Sequence, residues 1–428
     1  MPKSILIEES VFVKKSIIRP GRTVKENVTT PIPVSGLKVG MYVSDLDRPW
    51  VETPFILQGF EITSIQEIET IAQYCEFVYV EDDVDSWLQA EERAVPSTPT
   101  KRTENYTNSS SNKQEYARAS AAYANASQLT RSFMDDVRLG KAIDIKEVKA
   151  TVSECVSSIL RNPDTMMWLS KIRQKDEYTS EHSLNVGLLA ISVGRHMGAS
   201  EEDLNKLGMA GMLHDVGKMR TPSDVLNKEG QLSRDEFEVM KSHAQHGRDI
   251  LMSHKTVFSG AVDVAYGHHE ALDGSGYPRK IKAAGISDFT RIVTLCDVYD
   301  AVTSERVYKK GRSSLDAIKV LYQNRSSKFD VRLVGQFISC IGLYPPGSIV
   351  SLKNGMVGIV ISTNYRHRHL PKVMVLRDAA KMPTKESVMN LEKLAQEGKQ
   401  DYMIKTVIPN GSHGIRIEKY IEKGLTIG

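Results

Sequence analysis

Apolar and polar residues follow different rhythms along this 428-residue chain. Residues 1–31 hold only short apolar patches and read as a tail. "IPVSGLKVGMYVSDL" (32–46) alternates and carries Gly36 and Gly40, the pattern of short strands and a turn. "SIQEIETIAQYC" (64–75) has helical spacing, and "FVYVED" (77–82) alternates again. Residues 32–92 are therefore expected to form a small α+β domain. Residues 93–114 are polar, with Pro96, Pro99 and three consecutive serines, and read as a flexible linker. From 115 to 344 the period is helical, and the amphipathic stretch 115–160 suits a bundle helix or a dimer helix. Alternation returns in "YPPGSIVSLKNGMVGIVIS" (344–362) and "KVMVLRD" (372–378), so 345–428 is expected to be a small β-rich extension. The fold class implied is mainly α, with a small α+β domain before the helices and a β-rich appendage after them.

Composition narrows the class. The chain is 40% hydrophobic and 25% charged, with a formal net charge of +3. That is ordinary for a globular protein and gives no reason to expect a nucleic-acid partner. Cys75, Cys155, Cys296 and Cys340 are scattered without a CxxC pair, which argues against a disulfide framework or a thiolate zinc site. No apolar run reaches the roughly 18–20 residues of a membrane span. Glu8 and Glu9 interrupt the first apolar runs, so the start does not read as a signal peptide. A cytoplasmic location without a membrane is the expectation.

Histidine placement changes the picture most. None of the 11 histidines precedes His182, and eight lie between His182 and His269. His182 falls in the first half of an apolar helix. His214-Asp215 ends the apolar run "GMAGML", and His243 and His246 share a helical stretch. His268-His269 opens "HHEALDGSGYP", and Asp297 and Asp300 sit in "TLCDVYDAV". Polar groups facing the inside of a helical bundle need partners, and converging metal ligands supply them. Imidazole with carboxylate and no thiolate suits Fe, Mn, Zn or Ni. Neighbouring helical residues point about 100° apart, so His268 and His269 fit two sides of a two-metal centre. Asp215 could bridge through its two oxygens. Paired ions suit in-line displacement at phosphorus, with attack by a metal-held water or hydroxide.

His182, the HDxGK pattern at His214-Asp215-Lys218, His243 in HxxxG, His268-His269-Glu270, Asp273–Pro278 and Asp297 occur in an order that resembles the HD-GYP phosphodiesterases. The likeness spans about 175–345. Residues 32–90, through "LKVGMYV" and "TPFILQGFEI", resemble the N-terminal domain often attached to them. The resemblance implies an HD-type helical bundle that hydrolyses cyclic di-GMP to pGpG and onward to GMP. It implies two divalent transition-metal ions, Fe or Mn before Ni or Zn. They would be held by His182, His214, Asp215, His243, His268, His269 and Asp297, with Asp215 and Lys218 as catalytic groups. Lys218 would touch the scissile phosphate, Tyr277 would bond or stack near substrate, and Arg306 and Lys309 in "SERVYKK" would bind phosphate. A signalling protein could meet the GYP loop, and the N-terminal domain would regulate or support a homodimer.

One departure matters. Some family members carry a glutamate four residues before the first histidine, where it helps to hold a third metal; here that position is Tyr178. Glu177 lies about 140° away around a helix axis, so two metals are expected. His246, three residues from His243, is a weaker ligand candidate. His196 lies about 21 Å from His182 along a continuous helix and is assigned to surface or core. His254 has no supporting neighbours, and Asp176 and Tyr178 would do no more than cap or pack. Asp300 and Glu270 are expected to orient ligands rather than bind metal. The competing functions are hydrolysis of 3′,3′-cyclic GMP-AMP, binding of a cyclic dinucleotide without turnover, and an HD hydrolase acting on nucleoside triphosphates. The complete ligand set disfavours the second. The GYP loop and the Arg306/Lys309 pair disfavour the third.

Overall fold

The computed structural model describes residues 28–39, 41–47, 60–62, 65–82, 104–171, 178–254, 256–304, 311–364, 367 and 369–420. The chain separates into two units, Met1–Glu92 and Arg93–Gly428. In the first, β1 (Val28–Pro33), β2 (Tyr42–Leu46), β3 (Phe60–Glu61) and β4 (Phe77–Asp82) form an antiparallel sheet in the order β1-β4-β2-β3. Val78 and Val80, two apart on one face of β4, are buried with Val43, Ile62 and Ile71, the last on α1 (Ile65–Tyr74). Strand β1 begins at Val28, so the last residues of the expected tail pair with β4.

The second unit starts earlier than polarity suggested. Residues 104–111 are docked rather than free. Ser109 N–H donates to Arg161 O at 3.0 Å, and Tyr106 Oη–H donates to Ala199 O at 2.9 Å. Ser111 then caps α2 (Asn112–Arg138) with a reciprocal capping box. The amphipathic stretch 115–160 is two helices that pack on each other, α2 and α3 (Ile145–Arg161). Gly140 at φ +75° turns the chain between them, and Asp144 caps the second.

Glu115 on α2 shows why a charge can be buried here. Its carboxylate accepts from Arg161 Nε at 2.8 Å, Arg161 Nη2 at 2.7 Å and Ser158 Oγ at 3.0 Å. Burial pushes this carboxyl up, but Arg161 and Ser158 outweigh that and hold it below its ordinary value. A carboxylate depressed in the folded state stabilises the fold above its unfolded pKa, and that contribution is lost as pH falls through the folded value. Glu115→Gln is expected to destabilise the unit by about 3 kcal/mol at pH 7. The gap to wild type should narrow steadily below about pH 4, as read from urea midpoints across that range.

The bundle continues through α4 (Pro163–Leu169), α5 (Tyr178–Met197), α6 (Glu201–Leu213), α7 (Ser223–Leu226), α8 (Arg234–Met252), α9 (Ser259–Gly267), α10 (Asp288–Thr303), α11 (Ser314–Gln323) and α12 (Val331–Ile341). Helices α5 and α6 approach very closely. A Cβ on Gly211 would lie 2.7 Å from Gly187 Cα, so the two glycines let the backbones touch. His182 lies five residues before one glycine and His214 three after the other, which ties both imidazoles to this crossing.

β5 (Ile349–Leu352), β6 (Val357–Ser362), β7 (Lys372–Arg377), β8 (Pro383–Asn390) and β9 (Ile404–Ile408) form an antiparallel sheet in the order β8-β7-β6-β5-β9. The sequence suggested alternation, but β6 and β7 are buried on both faces. Ile359, Ile361, Met374 and Leu376 join the helical core, whereas Val350, Val360 and Val373 meet Leu391 of α13 (Leu391–Gln396). Trp168 Nε1 donates to Ile361 O at 3.0 Å, pinning the sheet to α4. Among the described residues, no helix is long and apolar enough to cross a membrane.

Candidate metal centre

Seven side chains distant in sequence converge inside the helical unit. His182 comes from α5, and His214 and Asp215 from the end of α6. His243 lies on α8, His268 and His269 follow α9, and Asp297 is on α10. Three sets of their ligand atoms fall within 4.8 Å of one another: Asp215 with His243, His268 and His269; His182 with His214 and Asp215; and His214 with His268 and Asp297.

Asp215 divides the centre. Its Oδ2 lies 3.3 Å from His214 Nε2 and 3.7 Å from His182 Nε2. Its Oδ1 lies 3.4 Å from His243 Nε2 and 3.6 Å from His268 Nε2. Asp297 Oδ1 joins the first side, 3.0 Å from His182 Nε2 and 3.9 Å from His214 Nε2. Lys218, on the turn Val216–Arg220, donates its ammonium to Asp215 Oδ2.

Backbone carbonyls set the direction of three rings. Nδ1 of His214 meets Gly211 O at 2.7 Å, that of His243 meets Met240 O at 2.7 Å, and that of His268 meets Val264 O at 3.1 Å. With Nδ1 engaged by a carbonyl, each ring turns Nε2 toward the centre. His182 uses a carboxylate instead, with Nδ1 2.8 Å from Asp300 Oδ2, which also accepts from Ser304 Oγ at 2.8 Å. Asp300→Asn is expected to weaken metal binding or turnover by about 10–100-fold. Metal titration of the stripped protein checks this.

The electrostatics favour the protonation state that metals require. Burial pulls His243 down to about 3. Loss of surrounding water, reinforced by His268 and His243, holds His269 well below its ordinary value. Burial pushes Asp215 and Asp297 up, yet Lys218 and His214 beside the first, and His182 and His214 beside the second, hold both carboxyls well down. Neutral imidazoles and ionised carboxylates are ligand forms. His214 Nε2 and Asp215 Oδ1 are buried without a hydrogen bond. Such orphaned atoms are costly in an interior, and bound cations at the centre would satisfy each of them. The donor set fits a metal.

The glycines of the motifs act sterically. A Cβ on Gly217 would lie 1.9 Å from His243 O and 2.4 Å from Gly247 N. The HDxGK turn and the HxxxG helix therefore touch backbone to backbone. A Cβ on Gly276 would lie 2.4 Å from Ala271 N and 2.5 Å from His269 O. That closeness folds the loop back so that the Tyr277 ring stacks on His269, centroids 4.6 Å apart and planes at 25°. Burial pushes the Tyr277 hydroxyl well above its ordinary value, with Asp297 and Asp215 adding to the shift, so it stays protonated.

Other expectations change. Glu270 does not steady the imidazoles. Its carboxylate accepts from Arg279 N at 2.7 Å and Ile281 N at 3.2 Å, closing the loop 271–281. Thr294, not foreseen, donates to His268 O at 2.9 Å. His246, His196 and His254 belong to none of the three ligand sets. His254 Nε2 accepts from Ile143 N at 3.5 Å. Arg306, Lys309, Asp176, Glu177 and the Tyr178 side chain lie outside the described residues.

The HD domain family matches residues 166–333, and a domain of unknown function, DUF3391, matches residues 29–148. The chain is 32% identical to the cyclic di-GMP phosphodiesterase PA4108 of Pseudomonas aeruginosa, over 85% of this chain and 89% of that one. This chain belongs to the HD-GYP cyclic dinucleotide phosphodiesterase family. The cyclic di-GMP phosphodiesterase response regulator RpfG of Xanthomonas campestris is 38% identical over 41% of this chain and 47% of its own. The 3'3'-cGAMP-specific phosphodiesterase 3 of Vibrio cholerae is 32% identical over 40% of this chain and 37% of its own. Metal dependence belongs to this family, and the His/Asp clusters around Asp215 could bind metal.

Proposed function

We propose that the chain is a cytoplasmic, metal-dependent phosphodiesterase that opens cyclic di-GMP to pGpG. The observation that carries this reading is the two-sided environment of Asp215, with His182 and His214 by one oxygen and His243 and His268 by the other, and with His269 and Asp297 in ligand sets that share these histidines. We assign two ions per chain, Fe or Mn before Ni or Zn, which His182, His214, Asp215, His243, His268, His269 and Asp297 would hold. Two such ions supply a nucleophilic water at neutral pH and neutralise charge on the phosphate.

The protein's own groups do the rest. Asp215 and Asp297 stay ionised to hold the centre together. Lys218, beside Asp215 at the edge of the site, can donate to a phosphate oxygen. The Tyr277 ring covers His269 and keeps water from that side. Arg306 and Lys309 are assigned to phosphate binding by the family pattern.

We assign catalysis to 115–344, regulation or dimer formation to 32–92, and support of the helical core to 104–114 and 345–428. The GYP loop is the proposed contact for a signalling partner. The relative named for 3'3'-cGAMP supports that nucleotide as a second substrate.

The test is elemental analysis of protein purified anaerobically, combined with turnover of cyclic di-GMP, 3′,3′-cyclic GMP-AMP and cyclic di-AMP. Two ions per chain and the highest kcat/KM for cyclic di-GMP are expected. No turnover of any of them would reject an enzyme, and three ions would reject the two-metal assignment.

A further inference from the structure

Helix α8 brings His243 to the metal centre, and one turn and a half earlier it carries Phe237. Arg234, Asp235, Glu236, Glu238 and Lys241 around it are charged, and Val239 is a second exposed apolar residue on the same stretch. Four residues into the helix, Phe237 could serve as a staple against Leu232. Yet Phe237 is 36% exposed, more than a staple needs. Its ring meets Tyr277 edge to face, with centroids 6.3 Å apart and planes at 78°. Tyr277 in turn stacks on His269. An aromatic path therefore runs from a ligand of the proposed metal centre to an exposed ring.

Charged groups border that ring in a defined way. Lys241 Nζ lies 5.0 Å from the Phe237 centroid and 5.7 Å from that of Tyr277. Lys241 Nζ also donates to Glu238 Oε1 at 2.6 Å. A stacking surface thus has a cationic donor and a carboxylate acceptor side by side. Among the purines, guanine matches this pair. It offers O6 and N7 as acceptors and its N2 amino group as a donor, whereas adenine offers an amino donor where guanine has O6. An exposed Lys–Glu pair contributes little to stability, so opening it to meet a base costs little.

We infer that Phe237, Glu238 and Lys241 form a guanine platform, with Phe237 stacking on one base of the substrate and Lys241 and Glu238 reading its edge. The inference rests on the proposed cyclic dinucleotide substrate and deepens it: the platform sets base preference while the metal centre acts on phosphate. Stacking supplies affinity whatever the base, and the Lys–Glu pair supplies the discrimination.

Calorimetry on the metal-loaded chain with non-hydrolysable phosphorothioate analogues of cyclic di-GMP and cyclic di-AMP tests this, with turnover of the natural dinucleotides measured separately. Phe237→Ala is expected to weaken cyclic di-GMP binding about tenfold while keeping wild-type metal content. Lys241→Met is expected to bring the dissociation constants for cyclic di-GMP and cyclic di-AMP closer together by about tenfold. Wild-type affinity in Phe237→Ala, or an unchanged ratio in Lys241→Met, would overturn the platform. If the wild-type protein binds cyclic di-GMP but does not cleave it, the enzymatic reading fails and the two variants still decide the platform. If it does not bind cyclic di-GMP, both fail.

Discussion

Asp215→Asn is expected to reduce kcat/KM for cyclic di-GMP by about a thousandfold, or about 4 kcal/mol of transition-state stabilisation, and to lower metal content below one ion per chain. The amide keeps the shape of the carboxylate but removes its charge and one ligand oxygen. Both sides of the centre lose at once, because Oδ2 faces His214 and His182 while Oδ1 faces His243 and His268. Lys218 also loses its carboxylate partner. Elemental analysis and steady-state kinetics on the same preparation check the result, and far-UV circular dichroism should stay unchanged. Near-normal turnover would remove Asp215 from the mechanism.

Gly217→Ala is expected to cost about 3 kcal/mol or more of stability and to release metal, although Gly217 holds none. The added Cβ would meet His243 O at 1.9 Å and Gly247 N at 2.4 Å, both backbone atoms of α8. A backbone cannot swing aside as a long side chain can, so α8 must move and carry His243 with it. Gly335→Ala on α12 is the contrast. A Cβ there meets nothing within 4 Å, and replacing a helical glycine should stabilise by about 0.5–1 kcal/mol. Urea midpoints for the two variants, read beside metal content, separate crowding from a general intolerance of alanine.

The distance between these two alanine substitutions shows where sequence reading stopped. Gly217 belongs to the HDxGK motif and Gly335 to a helical run, and neither placement tells how much room a Cβ would find. Only packing reveals that one sits against another backbone and the other faces open space. Glu270 illustrates the same limit. Its place beside His268-His269 suggested that it steadied the rings, yet its carboxylate closes on Arg279 N and Ile281 N. The polar stretch 104–114 looked like a linker because few apolar residues are present. Its backbone and side chains instead find partners at Arg161, Gly198 and Ala199. Partners distant in sequence leave no periodic signal.

Chemistry was more legible than geometry. The sequence by itself determined the kinds of donor, because imidazole, carboxylate and absent thiolate pairs are properties of residue type. It also determined the broad element classes, because the 3.6 and 2 periods follow from backbone geometry. Strands β6 and β7 escaped that rule in part: helices cover one face and α13 the other, so burial on both sides erased the alternation. Only the tertiary structure decided that Asp215 faces two groups of histidines, that Phe237 reaches Tyr277, and that two motif glycines touch. These depend on how helices far apart in the chain cross, and crossing is fixed by close packing of many side chains at once rather than by any local pattern.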